Sequence, residues 1–237
     1  MPYTAEIFAS AIVAVGDFNP AIFSPDWLER NGLIGKDDAD NAREKDPSKS
    51  LLISHQVAAF ETEWFALQIL ENQFSLTSKA ALSPALKDLA AGIFQMVPHT
   101  PITAVGLNFM GHFKLPSEDT YHKVGDVLAP KDIWKSLYPD RSHGLADLTV
   151  RIQYAARGEP VKTNDEKRIT VQPSNKFKFG KFGVYLAYND HHDFTVAGSN
   201  DLSPAERAAT VIDTEWENSW TDAVRVFDGI LSMAIGN

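Results

Sequence analysis

The densest run of metal-binding residue types is Asn189-Asp190-His191-His192-Asp193, two imidazoles between two carboxylates. Imidazole with carboxylate is a donor set that suits zinc or iron. The spacing resists a shared ion. Adjacent histidines on an extended chain point to opposite sides, so His191 and His192 meet one metal only across a sharp turn. The competing reading is a polar turn or strand end after Tyr188, with Asp190, His191, His192 and Asp193 in water. His99, His112, His122 and His143 are dispersed singly, and none lies in a HExxH or H-x-E context. Neither a G-x-S-x-G elbow nor a phosphate-cradling glycine motif occurs, and Gly180-Lys181-Phe182-Gly183 reads as a bend in a strand. With no cysteine in the chain, disulfides, thiolate metal sites and cysteine nucleophiles are excluded together.

Two further patterns bear on binding. In Lys176-Phe177-Lys178-Phe179-Gly180-Lys181-Phe182, basic and aromatic residues interleave as on platforms for single-stranded nucleic acid, where Phe177 and Phe179 would stack on bases and Lys176, Lys178 and Lys181 would meet phosphates. The alternative is an amphipathic strand that buries its phenylalanines and keeps its lysines in water, guarding a sheet edge. The second pattern is the aromatic stripe of Trp216, Trp220 and Phe227 near the C-terminus. Such a stripe either fills a core or lines an apolar cavity between a long helix and a curved sheet.

Several elements must position these residues. Residues 5–15 are β-branched and small, and end in the turn cluster Gly16-Asp17-Phe18-Asn19-Pro20, which predicts a first strand. Ser24-Pro25-Asp26 predicts a capped short helix stopped at Asn31-Gly32. Residues 36–50, rich in charge and without a large apolar side chain, predict a loop. Residues 51–60 and 64–76 predict a hairpin that turns at Glu61-Thr62-Glu63. A Ser83-Pro84 cap precedes apolar residues at helical spacing as far as Val97, and a strand from Ile102 to Leu115 follows. The first half then reads β-α-β-β-α-β. Beyond a loop, Ala129 to Trp134 suggests one short helix, and strands are expected over 146–156, 168–173 and 176–188.

The final segment carries the strongest local signal. Ser203-Pro204-Ala205-Glu206 combines a capping box with proline at the first helical position, and an apolar stripe then runs to Gly236 in steps of three and four. This predicts one long helix laid across a sheet. The fold class is therefore α+β, antiparallel, with a long C-terminal helix packed across the sheet, in a helix-grip-like or duplicated β-α-β-β-α-β arrangement. Residues 1–237 are read as one domain, with two similar halves, 1–116 and 117–237, as the alternative division.

Composition narrows the classes of function. An apolar fraction of 44% and a charged fraction of 22% are those of a folded globular chain. No apolar run approaches the ~20 residues of a membrane span, and the N-terminus lacks a secretory pattern, so a cytoplasmic location is expected. A net charge of −9 opposes general affinity for polyanions. Between 161 and 181, however, six lysines and arginines face two carboxylates. Nucleic-acid binding through residues 162–181 is thus open but not favoured.

The order of elements, the strand Pro101-Ile102-Thr103-Ala104-Val105-Gly106-Leu107-Asn108 after a capped helix, and the final helix together resemble a family of sporadically distributed, uncharacterised bacterial proteins. The resemblance brings no activity or site residues with it; such a distribution would fit mobile genes or microbial conflict. Taken together, the residues favour a non-catalytic binding or assembly protein, self-associating and without a cofactor. Two alternatives accompany that reading: a binder of a small hydrophobic ligand held by Trp216, Trp220 and Phe227, and a metal-dependent hydrolase built on residues 190–193.

Overall fold

A computed structural model describes residues 4–44, 51–78, 80–153, 164–176, 182–195 and 202–236. Among the described residues nine strands form one antiparallel sheet: β1 (Thr4–Gly16), β2 (Leu52–Ile53), β3 (Val57–Glu61), β4 (Phe65–Leu70), β5 (Gln73–Ser78), β6 (Ile102–Lys114), β7 (Leu148–Gln153), β8 (Glu166–Pro173) and β9 (Gly183–Asp193). Their spatial order is β2-β3-β4-β5-β1-β6-β9-β8-β7. The helices are α1 (Pro25–Arg30), α2 (Lys36–Arg43), α3 (Pro84–Met96), α4 (Glu118–Leu128), α5 (Asp132–Leu137) and α6 (Pro204–Ile235).

Serine caps start four of these helices. Ser24, Ser83, Ser117 and Ser203 accept hydrogen bonds from the backbone N–H groups of Trp27, Leu86, Thr120 and Glu206, which would otherwise lack a partner at a helix start. Glu206 returns the bond to the Ser203 backbone, completing the capping box, and Gly236 closes α6 with a left-handed φ of 81°. At 32 residues, α6 runs about 48 Å, enough to cross the long central strands.

The alternation of side chains divides the sheet cleanly. Ile12, Ala14, Leu67, Ile69, Phe74, Leu76, Val105, Leu107, Phe109, Leu186 and Tyr188 all lie on one face and belong to a single core with Leu89, Ile93 and Phe94 of α3 and Ile212, Trp216, Phe227 and Leu231 of α6. On the opposite face the alternate residues of β4, β8 and β9 remain largely part-exposed. Chemistry on that face stays open to solvent.

Connectivity repeats. The strand β1 leads to two helices, α1 and α2, then to a meander ending in β5 beside β1, then to α3. Likewise β6 leads to α4 and α5, to the meander β7-β8-β9 ending beside β6, and to α6. The two 13-residue leading strands pair with each other at the centre. The repeats differ at their outer ends: β3 is flanked by β2, whereas β7, its counterpart, is the sheet edge among the described residues.

Several local expectations are corrected. Residues 36–43 form a helix rather than a loop, because Asp40 pairs with Lys36 and Arg43, Arg43 reaches Asp26 at 3.0 Å and Glu29 at 2.5 Å, and Ala39 and Ala42 are buried. The expected two-stranded hairpin holds four strands, since each apolar run breaks at a turn, at Ser54–Gln56 and at Glu71-Asn72. Residues 118–128, expected as loop, form α4 under the Ser117 cap. The last strand runs on through Asn189 to Asp193, where the sequence predicts a turn or strand end. Pairing with β6 along the whole segment, and with β8 as far as His191, holds those polar residues in the sheet.

Candidate functional site

The strand register separates the Asp190–Asp193 cluster. Asp190 and His192 face the helices and are buried, while His191 and Asp193 emerge on the open face. Among the described residues no three histidine, aspartate or glutamate side chains gather as metal ligands would. Trp216 and Phe227 are buried, Trp216 against Phe109 and Phe227 against Phe113, and Trp220 packs on Phe8 and Phe109. Lys176 is exposed near His112. Phe177, Lys178, Phe179 and Lys181 lie outside the described residues.

Beneath α6 the structure brings together side chains that sequence reading did not join. Asp190 is 1% exposed. It accepts a 2.5 Å hydrogen bond from the Ser219 hydroxyl of α6, pairs with Lys167 of β8, and has His192 Nε2 at 3.3 Å. Lys167 also lies over the Tyr188 ring, at 5.8 Å. Burial by itself would raise the Asp190 carboxyl, but the His192, Lys167 and Ser219 contacts outweigh it and hold the group at about 2. The cluster therefore pins the long helix to the sheet through a paired charge.

A polar ladder crosses the open face. One row runs Arg151, Arg168, Asn189, Asn108, Ala11, and the next runs Gln153, Glu166, His191, Gly106, Val13, each residue opposite its neighbour in the pairing register. Glu166 bridges the two guanidinium groups, 2.8 Å from Arg151 and bonded to Arg168, and Arg151 first among them pulls its carboxyl below the ordinary range. Asn189 Nδ2 donates to Asn108 Oδ1 at 2.6 Å, and Asn108 Nδ2 donates to the carbonyls of Gly106 and Ala11. This chain of amides fixes which end of Asn189 is oxygen. Its Oδ1 is shielded from solvent and accepts no hydrogen bond among the described residues. Such an atom costs about 1–3 kcal/mol while it stays unpaired.

A Cβ at Gly106 would stand 2.4 Å from Asn189 Nδ2, so a side chain there would have to displace the Asn189 carboxamide. The resulting trough encloses about 370 Å³ over Val13, Ala104, Gly106 and Ala187, with Asn108, Asn189, His191, Arg168, Thr149 and Thr170 around it. Burial, and then the Arg168 charge, push the His191 imidazole below its ordinary value, so it is neutral at pH 7. The trough is thus a hydrogen-bonding surface with a small-residue floor.

At the far edge of the sheet the second repeat leaves apolar groups in water. On α5, Ile133, Trp134 and Leu137 are 64%, 47% and 62% exposed, the C-cap Tyr138 is 55% exposed, and no residue of that helix is buried. Val150 and Ile152 of β7 are exposed as well. Lys131, the residue before α5, lines a small cavity of about 90 Å³ together with Tyr121 and Val124 of α4 and Val171 and Pro173 of β8. The counterpart helix, α2, buries Ala39 and Ala42 and bonds Trp64 through Asp38.

Asn108, the amide embedded in the otherwise largely apolar β6, and Ser219, on the apolar stripe of α6, were the available sequence signals for these sites. Among the described residues, no helix is long and apolar enough to cross a membrane. No family model matches the chain, and no curated protein is similar enough in sequence to count as a relative.

Proposed function

We propose that this chain is a non-catalytic binding or assembly protein that pairs with a second copy of itself through the free edge of β7 and the apolar face of α5. The observation that carries the reading is α5 itself. A six-residue helix has no independent stability, and the three large apolar side chains left in water on it, with Tyr138 at its C-cap, call for a covering surface. The first repeat supplies that covering internally, with a strand outside β3 and a packed α2; the second repeat lacks both among the described residues.

A second copy fits because an antiparallel edge is self-complementary. A two-fold axis beside β7 pairs the strand with its own copy and continues the sheet, and the same association is what covers the apolar side chains of α5. The pairing also removes an exposed edge that would otherwise template aggregation. A cysteine-free, acidic chain suits a reducing cytoplasm, and the net charge of −9 disfavours nucleic acid as the partner.

Sedimentation velocity over a concentration series tests the reading. The parent protein should sediment as a dimer, and the double variant Ile133→Glu, Leu137→Glu should dissociate at least about a hundredfold more readily, from about 1.5 kcal/mol per side chain returned to water. Both positions are exposed in the monomer, so the variant's thermal stability should be nearly unchanged when measured as a monomer. A parent that stays monomeric to the highest concentration, or a variant that dimerises as well as the parent, refutes it.

A further inference from the structure

We infer that the trough on the open face of β1, β6, β9 and β8 is a binding site for a medium-chain aliphatic monocarboxylate, whose carboxylate sits at Arg168 and whose chain lies toward Val13 and Val15. The site is independent of the self-association proposed above, which uses the sheet edge and α5.

The lining is polar at one end and apolar at the other. Thr149, Thr170 and Arg168 border the trough over β7 and β8, and Val13, Val15, Ala104 and Gly106 border it over β1 and β6. Arg168 is the one charged side chain in that lining among the described residues, and burial keeps the His191 imidazole between the two ends neutral at pH 7. Arg168 donates through Nε to Glu166, while its two Nη nitrogens bond no described residue. Glu166 is buried and also holds Arg151, so two guanidinium groups against one carboxylate leave the cluster one positive charge. A carboxylate from the ligand balances it. A guanidinium that presents two N–H groups to a carboxylate forms the stronger, charge-assisted kind of hydrogen bond. The Thr149 and Thr170 hydroxyls meet at 3.2 Å, and whichever accepts that bond keeps its own hydrogen for the ligand.

The apolar end sets the rest of the ligand. Asp193, the register partner of Ala104, binds Thr195 and stands outside the trough, so it repels a carboxylate from this end and fixes which way round the ligand lies. A second carboxylate on the ligand would meet that repulsion with no lining cation to offset it, which selects a monocarboxylate. Between β8 and β1 lie three strand spacings, about 14 Å, a span that an extended chain covers and a compact ring does not. Ala187 and Gly106 keep the floor low along that path. The volume of about 370 Å³ falls within the usual size of small-molecule sites.

The test records nitrogen-proton correlation spectra of the full chain during titration with decanoate, hexanoate and decyltrimethylammonium, each kept below its micelle concentration. Saturable shifts of the Gly106 and Ala187 backbone amides are expected with decanoate. Hexanoate should bind at least about tenfold more weakly, because four methylenes are lost from a half-covered groove. Decyltrimethylammonium, with the opposite charge, should leave these amides in place. In Arg168→Met the affinity for decanoate should fall at least about tenfold, the loss of hydrogen bonds to a charged group. If that variant does not fold, Ala187→Phe, which raises the floor of the trough, should give the same loss. Decanoate shifts that are absent or confined to α5, binding of hexanoate or of the cationic probe equal to that of decanoate, or undiminished binding by the folded variant overturns the inference.

Discussion

Replacing Asp190 by asparagine should remove a specific part of the protein's resistance to acid. The folded carboxyl sits at about 2 against an ordinary 3.8, because His192, Lys167 and Ser219 outweigh the cost of its burial. A carboxyl whose value is depressed by folding adds stability that is complete above its unfolded value and disappears as the pH falls through its folded value. For Asp190 that window runs from about pH 4 down to about pH 2. At about 1.4 kcal/mol per tenfold difference in proton affinity, the gap is worth about 2 kcal/mol.

Urea denaturation at stepped pH measures this. Glu166, Asp193 and Glu206 are also depressed and contribute to the acid slope of both proteins, so the quantity to plot is the parent's stability minus that of Asp190→Asn. That difference should shrink by about 2 kcal/mol between about pH 4 and pH 2, and stay level above. Two curves that fall in parallel through the window would show that Asp190 is not held in its ionised form by the contacts beneath α6.

Other substitutions address the rest of the framework. Trp216→Ala, at a fully buried position against Phe109, should cost about 3–5 kcal/mol in chemical denaturation, the range for emptying a large aromatic from a core. If Trp216 lined a ligand cavity instead, the loss would be far smaller. Ser203→Ala removes one side of the capping box and should lower stability by about 1 kcal/mol, read as a drop in melting temperature with unchanged secondary structure. Lys167→Met leaves the buried Asp190 carboxylate without its cation and should cost about 3–5 kcal/mol at neutral pH, a penalty that lessens in acid as Asp190 takes up a proton.

Local chemistry made much of the framework legible. The Ser-Pro caps, the period of α6 and the apolar run of β6 each act within a few residues, so composition and spacing suffice to place α1, α3, α6, β1 and β6. Where neighbours in the sequence gave too little, tertiary contacts decided. Residues 36–43 look unable to order themselves, yet Asp26 and Glu29 of α1 hold Arg43 and make a helix of them. Asn189 to Asp193 look like a turn, yet β6 pairs with all five, and β8 with the first three, and together they draw the segment into the sheet.

The candidate sites lie at the same divide. Residue types alone drew attention to Asp190, His191, His192 and Asp193 as a group, whereas the two-residue period of a strand sends Asp190 and His192 into the core and His191 and Asp193 to solvent. Asn108 and Asn189 are 81 residues apart and meet only because β6 and β9 pair in one register. Sequence determined which segments could be strands and helices, since those preferences are local. The tertiary structure decided which polar groups share a face, because register, edge position and helix coverage are settled only between distant segments.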